Sequence, residues 1–129
     1  MSFLDWNDTF LTGIKEIDMQ HKKMFNMVNA LYEAVRLKVD KNFLKSSLDT
    51  LKNYFENHFK FEEEMLEKYG YPEAEKHKEE HSNFKKDFTE LVSQEEINFT
   101  EILKYLKNWW INHLLNHDKK YGSFLIDKK

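Results

Sequence analysis

Apolar positions recur along the chain at alternating steps of three and four residues in four separate stretches. The repeating positions span residues 25–39, 44–65, 74–91 and 99–117. This spacing places side chains on one face of an α-helix, because residues three or four apart share a face. The pattern therefore predicts four amphipathic helices of roughly 20 residues each.

Signals for helix ends lie around these stretches. Asp18 is a typical N-cap residue and predicts the start of the first helix. Gly70 predicts the end of the second helix, and Pro72 suits the first turn of the third. Residues 93–98 predict a short polar connection, whereas residues 1–17 show no period and predict an N-terminal arm packed over the helices. Four helices with short connections favour an all-α, antiparallel up-down-up-down four-helix bundle.

The composition narrows the fold class and the partners. The chain has 129 residues, which suits one domain over residues 1–129 with a single core. Three glycines and one proline are too few for a turn-rich β fold. A net charge of −3, from 20 basic and 23 acidic residues, provides no basic surface for a phosphate backbone. We therefore expect no binding to nucleic acid.

The absence of cysteine excludes disulfides, thiolate metal ligands and a cysteine nucleophile. The N-terminus has no basic segment followed by an apolar run. No apolar run approaches the roughly 18 residues of a membrane span. We expect a soluble, cytoplasmic protein that does not bind a membrane.

Six histidines lie where the helical pattern would otherwise place core hydrophobic residues. They are His21, His58, His77, His81, His113 and His117. A single interior histidine is most often a packed ring that hydrogen-bonds a neighbour, but several buried imidazoles without acceptors would leave unsatisfied nitrogens. A metal ion removes this cost, because neutral imidazole donates a lone pair to it. The pattern predicts a metal site inside the bundle.

The residue types at this site limit the metal. Nitrogen and carboxylate ligands without sulfur favour Fe, Mn, Zn, Cu or Ni over Ca and Mg. One zinc ion needs about three or four ligands, whereas this chain offers five or six histidines, Glu62 and an acid near residue 118. Two metal ions bridged by carboxylates fit better, and Glu62 is a natural bridge because it shares a helix face with His58.

Two other metal motifs are absent. The segment from His77 to His81 reads His-Lys-Glu-Glu-His, so it lacks the His-Glu-x-x-His signature of metalloproteases. No histidine follows a glutamate by three residues, as the ferritin-like di-iron bundles require. Zinc peptidase chemistry and a carboxylate-rich, oxygen-activating site are therefore disfavoured.

The neighbouring acidic and aromatic residues fall into two classes. Several acids of the second and third helices are predicted to form solvated faces, namely Glu63, Glu64, Glu67, Glu79 and Glu80. Four apolar residues adjoin His58 and His113 in sequence and are candidates to wall a dry pocket beside the metals, namely Phe59, Trp109, Trp110 and Leu114.

Four motifs in this order resemble those of the hemerythrin family, specifically its single-domain bacterial type, the bacteriohemerythrins. They are Gly-Ile-Lys-Glu-Ile-Asp-Met-Gln-His21, His58-x3-Glu62, His77-x3-His81, and Trp109-x3-His113-x4-Asp118 followed by Lys-Lys-Tyr-Gly. The resemblance spans nearly the whole chain. It implies a four-helix bundle that holds a non-heme di-iron centre.

The resemblance also implies a ligand set. The residues that would bind one iron are His77, His81 and His113, those that would bind the other are His21 and His58, and the carboxylate bridges would be Glu62 and Asp118. An oxo or hydroxo group would complete the bridge between the two Fe ions. The second iron would have one fewer protein ligand and would bind dioxygen there.

The function that the resemblance implies is reversible dioxygen binding, for storage, delivery or sensing, without an enzyme activity. A separate oxygen recipient protein would be a partner. The alternative is a di-iron oxidase, a peroxidase or a nitric-oxide-handling protein on the same scaffold. Phe59, Trp109 and Leu114 match pocket-lining positions of the family, whereas Trp110 stands where a smaller aliphatic residue is usual, so we expect gas access or autoxidation to differ.

Helix geometry and the resemblance disagree at one ligand. At about 100° per residue, His113 and His117 lie roughly 40° apart, whereas Asp118 lies about 140° from His113. Regular periodicity therefore selects His117, and the resemblance selects Asp118. Asp118 reaches the same side if the helix widens locally to a π-bulge or begins to unwind. We follow the resemblance, which leaves His117 as an additional histidine where the family commonly has threonine.

Overall fold

The computed structural model describes residues 2–126, and helices account for most of them. A short 3-10 helix spans Asp8–Phe10. The α-helices are α1 (Lys15–Arg36), α2 (Lys41–Lys68), α3 (Ala74–Val92), α4 (Phe99–His113) and α5 (Lys119–Ile126). A π-helical turn, Leu114–Asp118, joins α4 to α5 without a break.

The long helices form the bundle that the apolar stripes predict. α1 packs against α2 and α4, and α3 packs against α2 and α4. Because the connections between consecutive helices are short, neighbours in sequence run antiparallel. The predicted all-α four-helix bundle is confirmed. Residue 1 and residues 127–129 of the predicted domain lie outside the described part of the chain.

Two apolar clusters form the core. The larger runs along the bundle and includes Val28, Leu48, Phe84 and Leu106. The smaller is built from Ile14, Ile17, Leu66, Tyr71, Tyr121 and Leu125. Each fully buried leucine, isoleucine or phenylalanine contributes about 1.5–3 kcal/mol relative to an exposed side chain. A layer of buried polar side chains lies between the two clusters and is described below.

The start of α1 differs from the prediction. α1 begins at Lys15, so Asp18 lies inside the helix and is not its N-cap. Asp18 instead accepts hydrogen bonds from the backbone N–H of Thr12, from the Thr12 hydroxyl and from the backbone N–H of Gly13. The carboxylate binds the loop before the helix and fixes the end of the N-terminal arm against it. The N-cap prediction was wrong because the Asp18 carboxylate accepts hydrogen bonds from residues that precede the helix, Thr12 and Gly13.

The other boundary signals agree more closely with the structure. α2 ends at Lys68, and Gly70 follows with a φ of 67°, a left-handed conformation that favours glycine. Pro72 lies in the turn before α3 and not in its first helical turn. The arm packs on α1, since the side chain of Asn29 accepts from the Leu4 N–H and donates to the Leu4 carbonyl. None of the described helices is both long and apolar enough to span a membrane.

Candidate metal centre

Seven polar side chains meet in the middle of the bundle, and none is more than 4% exposed. They are His21 from α1, His58 and Glu62 from α2, His77 and His81 from α3, His113 from α4 and Asp118 from the π-helical turn. Burying a carboxylate or an imidazole costs free energy unless a partner compensates for the lost water. A cluster of this composition in the core therefore indicates a bound cation.

The seven residues form two groups that share both carboxylates. One group adds His77, His81 and His113 to the carboxylates, and the other adds His21 and His58. Within each group, one donor atom from every residue lies within 4.8 Å of the others. Two cation positions side by side, one with five surrounding residues and one with four, are therefore compatible with the described side chains.

Glu62 divides its two oxygens between these groups. Its Oε1 contacts Nε2 of His77 and lies 3.0 Å from Nε2 of His81. Its Oε2 lies 3.2 Å from Nε2 of His58. A carboxylate whose oxygens face different sets of imidazoles has the arrangement that a bridging ligand needs.

Asp118 divides its oxygens in the same way. Oδ1 lies 2.9 Å from Nε2 of His113 and 3.0 Å from Nε2 of His77, whereas Oδ2 lies 3.1 Å from Nε2 of His21. Neither oxygen makes a hydrogen bond of acceptable geometry among the described residues, although both are buried. Buried polar atoms are rarely unsatisfied. The carboxylate oxygens and the imidazole nitrogens of each group face one another around a common point. This arrangement fits ligands around a metal ion better than hydrogen-bonded pairs.

The π-helical turn explains how Asp118 reaches the cluster. The wider turn from Leu114 to Asp118 adds a residue to the helical repeat, so residues five apart can share a face. Asp118 thereby lies beside His113, as described above. His117 faces outward, with its side chain 27% exposed and its Nε2 2.9 Å from Oε1 of Glu80. Regular helical periodicity alone would have selected His117.

Two residues that the sequence analysis did not assign to the site orient its histidines. Oε1 of Gln20 lies 2.6 Å from Nδ1 of His58, and Oε2 of Glu63 lies 2.8 Å from Nδ1 of His81. A hydrogen-bond acceptor at Nδ1 keeps the ring proton on that nitrogen and leaves the lone pair of Nε2 free to bind a metal ion. The prediction that Glu63 belongs to a solvated face is wrong, because its side chain is only 21% exposed.

The charges of the cluster also favour a cation. Burial raises the pKa of Glu62, but its contacts with four histidines outweigh this and hold the pKa well below its usual value. Burial opposes the protonation of His21 and His77, yet their contacts with Asp118 and Glu62 raise the pKa to about 9 for His21 and about 10 for His77. Asp118 likewise keeps a pKa well below its usual value despite burial. Both carboxylates are anionic, and they attract positive charge into the core.

Tyr121 supports the cluster from α5. Its hydroxyl donates a hydrogen bond to Oε2 of Glu62 at 2.9 Å, and its side chain is fully buried. α5 lies close to the N-terminal arm at Gly122, where a Cβ would come within 2.3 Å of the Thr12 carbonyl oxygen. Tyr121 is the tyrosine of the Lys-Lys-Tyr-Gly motif, and this role was not predicted from the sequence.

Replacing Tyr121 with phenylalanine should lower the free energy of unfolding by about 1.5–3 kcal/mol, the usual loss for a hydrogen bond to a charged group. Urea unfolding of the purified protein measures this. The matched control is Tyr71→Phe, since the Tyr71 hydroxyl makes only a long, 3.4 Å contact with the half-buried Glu73. Equal losses for both variants would show that the hydroxyl of Tyr121 contributes nothing specific.

Two aromatic rings lie flat against histidines of the five-residue group. Phe59 stacks on His81 with ring centroids 3.9 Å apart, and Trp109 stacks on His113 at 4.3 Å. Both pairs are nearly parallel, with an interplanar angle of 16°. Each of these rings therefore covers one face of a histidine.

Trp110 and Leu114 complete the apolar surroundings. Trp110 is fully buried, and its ring centroid lies 6.0 Å from that of His58 and 6.1 Å from that of His21. Its indole N–H has no hydrogen-bond partner in the described part of the chain. Leu114 is also fully buried in the larger core cluster. Three of the predicted wall residues, Phe59, Trp110 and Leu114, thus belong to the apolar core, and the partly buried Trp109 packs against it.

A surface groove of about 520 Å³ reaches the cluster at His58. It lies between α1 and α2 and is lined by Glu16, Met19, Gln20, Lys23, Tyr54, Asn57, His58 and Phe61. Met19 and Phe61 are exposed apolar residues. This groove was not predicted from the sequence, because its residues other than His58 lie outside the apolar stripes.

Comparison with known proteins agrees with the fold and with the composition of the cluster. Residues 12–125 match the family model described as hemerythrin HHE cation binding domain. The chain is 34% identical to a hemerythrin-like protein of Naegleria gruberi over 94% of this chain and 92% of that protein. It is 33% identical to the bacteriohemerythrin of Clostridium acetobutylicum, over 90% of this chain and 96% of that protein.

A crystal structure of wild-type hemerythrin has the same fold, with a TM-score of 0.86 at 29% sequence identity. The match covers 93% of this chain and 95% of that one. A mutant of hemerythrin gives a TM-score of 0.88 over 95% of this chain and 97% of that one. The chain therefore belongs to the hemerythrin family, whose proteins bind dioxygen at non-heme iron.

Proposed function

We propose that this protein binds dioxygen reversibly at a di-iron centre and serves oxygen storage, delivery or sensing. The observation that supports this most directly is the unequal division of the cluster, with five residues around one position and four around the other. Non-heme iron sites that react with small molecules keep an open coordination position. The four-residue position has one fewer protein ligand than its neighbour, which would leave a coordination position for an external ligand.

In this proposal the three-histidine side of the cluster holds one iron and the two-histidine side holds the other. His77, His81 and His113 would hold the first, His21 and His58 would hold the second, and Glu62 and Asp118 would be shared by both, with a solvent-derived oxo or hydroxo group completing the bridge. When bound, iron supplies the electrons and the coordination position that dioxygen requires. The protein side chains fix the ligand set and control access of water and protons.

The surrounding side chains favour binding over catalysis. Phe59, Trp109 and Trp110 surround the histidines with apolar rings, which limit access by water and reductants. The buried Glu62 is held as an anion and does not donate a proton at neutral pH. Burial and the neighbouring carboxylates raise the pKa of Tyr121 well above its usual value, so its hydroxyl keeps its proton. With the five histidines acting as iron ligands, neither Glu62 nor Tyr121 offers a proton of near-neutral pKa, so the site is poorly equipped for general acid catalysis.

One feature favours a rival function. The groove outside His58 is about 520 Å³, which lies within the size range of small-molecule sites and far exceeds what a diatomic gas needs. A substrate bound there would lie beside the four-residue position. A di-iron oxidase, a peroxidase or a nitric-oxide-handling protein on the same scaffold is therefore the second candidate.

Adding dioxygen to the anaerobic ferrous protein should change its visible spectrum, and evacuation should reverse the change over repeated cycles. Stopped-flow and equilibrium absorption spectra measure this. The control is the same protein loaded with zinc, which suits these ligands but has no redox chemistry. Irreversible oxidation in one cycle, with release of peroxide, would favour the rival. An unchanged spectrum in the ferrous protein would mean that the metal only stabilises the bundle.

A further inference from the structure

A third group of potential metal ligands lies outside the central cluster. Nε2 of His117 is 2.9 Å from Oε1 of Glu80, and the two side chains are 27% and 34% exposed. Together with His113 they offer three donor atoms that lie within 4.8 Å of one another. The prediction that Glu80 is simply part of a solvated face is wrong, because it pairs with a histidine beside the centre.

His113 belongs to both this outer group and the central five-residue group. Its Nε2 lies 2.9 Å from Asp118, whereas its Nδ1 has no hydrogen-bond partner in the described part of the chain. The ring of His117 stacks on that of His113 with centroids 5.3 Å apart. The outer and central groups are therefore contiguous, and a single buried histidine joins them.

We propose that Glu80, His117 and His113 form an acquisition site that binds ferrous ion and passes it to the central cluster. This inference rests on the proposed function, in which that cluster holds iron. Two imidazoles and one carboxylate are ligands that suit a divalent transition metal. Two of these ligands, Glu80 and His117, are partly exposed, and three ligands leave several coordination sites to water, so the ion is held weakly and exchanges readily.

The transfer needs only an exchange of ligands. The ion gives up Glu80 and His117 and gains His77 and His81 together with the carboxylates, while His113 is common to both positions. No electron is transferred. The ring centroids of His77 and His113 are 4.8 Å apart, so the receiving ligands lie directly beside the shared one. Once His113 is bound to a central iron, the outer group has only two free ligands and does not retain a further ion.

A small cavity of about 70 Å³ lies beside one part of this route, between His117 and His77. Its lining includes both His117 and His77, and it has room for an ion with one or two waters. Two lysines also line it, but both pair with Glu73, at 4.0 Å for Lys76 and 2.6 Å for Lys120. This pairing reduces the repulsion that the lysines would exert on an approaching cation.

The test measures the rate at which metal-free protein takes up ferrous ion under anaerobic conditions. The ferrous ion is added at a concentration too low to fill the protein, and a chelator stops the uptake at set times. His117→Ala and Glu80→Gln should each slow uptake by about tenfold or more, since loss of even an outer-shell partner of a metal ligand typically costs about 10–100-fold in metal affinity. The final iron content should remain near two per chain in both variants. The matched control is Glu79→Gln, which removes the same charge from an exposed neighbour. Far-ultraviolet circular dichroism checks that each variant is folded.

Each alternative outcome has a distinct meaning. Unchanged uptake rates in both variants would overturn the acquisition site and leave His117–Glu80 as a surface ion pair of small energetic value. An equal effect of Glu79→Gln would also overturn it, since general attraction to acidic residues would then suffice. A low final iron content in His117→Ala would make His117 a permanent ligand. A wild-type endpoint below two, with the rate difference retained, would support the acquisition site and contradict the di-iron proposal.

Discussion

Replacing Glu62 with alanine is expected to remove iron from both positions of the centre, whereas the wild-type protein should hold about two irons per chain. The reason is the division of its oxygens, because Oε1 faces His77 and His81 while Oε2 faces His58. The substitution would take a proposed ligand from each group and also deprive the buried histidines of one of their two anionic partners. Elemental analysis of protein purified with excess iron should give clearly less than one iron per chain.

The control for this experiment lies two residues further along the same helix. Glu64→Ala removes an acid from an exposed position of α2 and should leave the iron content near that of the wild type. Glu62→Gln should fall between the two, since it keeps an oxygen but loses the charge. An iron content of about two in Glu62→Ala would show that Glu62 is not a shared ligand and would contradict the proposed bridging.

His58→Ala distinguishes the two positions from each other. His58 belongs only to the four-residue group, so its loss should empty that position and leave about one iron per chain. The five-residue group keeps all its members in this variant. The remaining iron should lack the reversible response to dioxygen, because the position with room for an external ligand is the one that is lost.

The fold was predictable because each helix has a long apolar stripe. In α2, for example, Leu44, Leu48, Leu51 and Phe55 are all buried as the spacing predicts, and several turns of agreement outweigh one ambiguous residue. Predictions of helix boundaries depend on single residues, so they were less reliable than the prediction of the helices themselves. Asp18 has the chemistry of an N-cap, but it is buried and bonds to the arm. Its role follows from where the arm packs, which is a tertiary contact.

The central cluster was only partly predictable from spacing. Histidines four apart, such as His77 and His81, necessarily share a helix face, and periodicity identifies them. Asp118 is different, because its position depends on a π-helical turn that no local propensity signals. The resemblance to a known family, not the helical repeat, indicated it. The structure contains the turn that this choice required.

The residues that were missed act across helices. Gln20 on α1 reaches His58 on α2, and Glu63 on α2 reaches His81 on α3. Such contacts depend on how each helix is rotated relative to its neighbour, which a single sequence does not specify. The only local signal is that Gln20 and Glu63 each lie next to a residue of the cluster. Polar residues adjacent to predicted ligands are therefore candidates for orienting ligands on the neighbouring helix.

Removing the metal should lower the midpoint of thermal unfolding by more than about 10 °C. A ligand that binds only the native state at a thousand times its dissociation constant stabilises it by about 4.1 kcal/mol, and each kcal/mol moves the midpoint of a domain of this size by roughly 3–6 °C. The physical source is the cluster between the two apolar cores. Without a metal, Glu62 and Asp118 remain buried anions that are compensated by the surrounding histidines and, for Glu62, by the hydroxyl of Tyr121.

Thermal melts by circular dichroism, before and after chelation and after addition of single metals, test this. Ferrous or zinc ion should restore the midpoint, because both bind imidazole, whereas magnesium should not, because it prefers an all-oxygen octahedron. The Glu62→Ala variant is the matched control, and its midpoint should respond little to added iron, since the shared ligand is missing. An identical midpoint with and without metal in the wild type would mean that hydrogen bonds among the seven residues, together with that from Tyr121, are enough to stabilise the buried cluster.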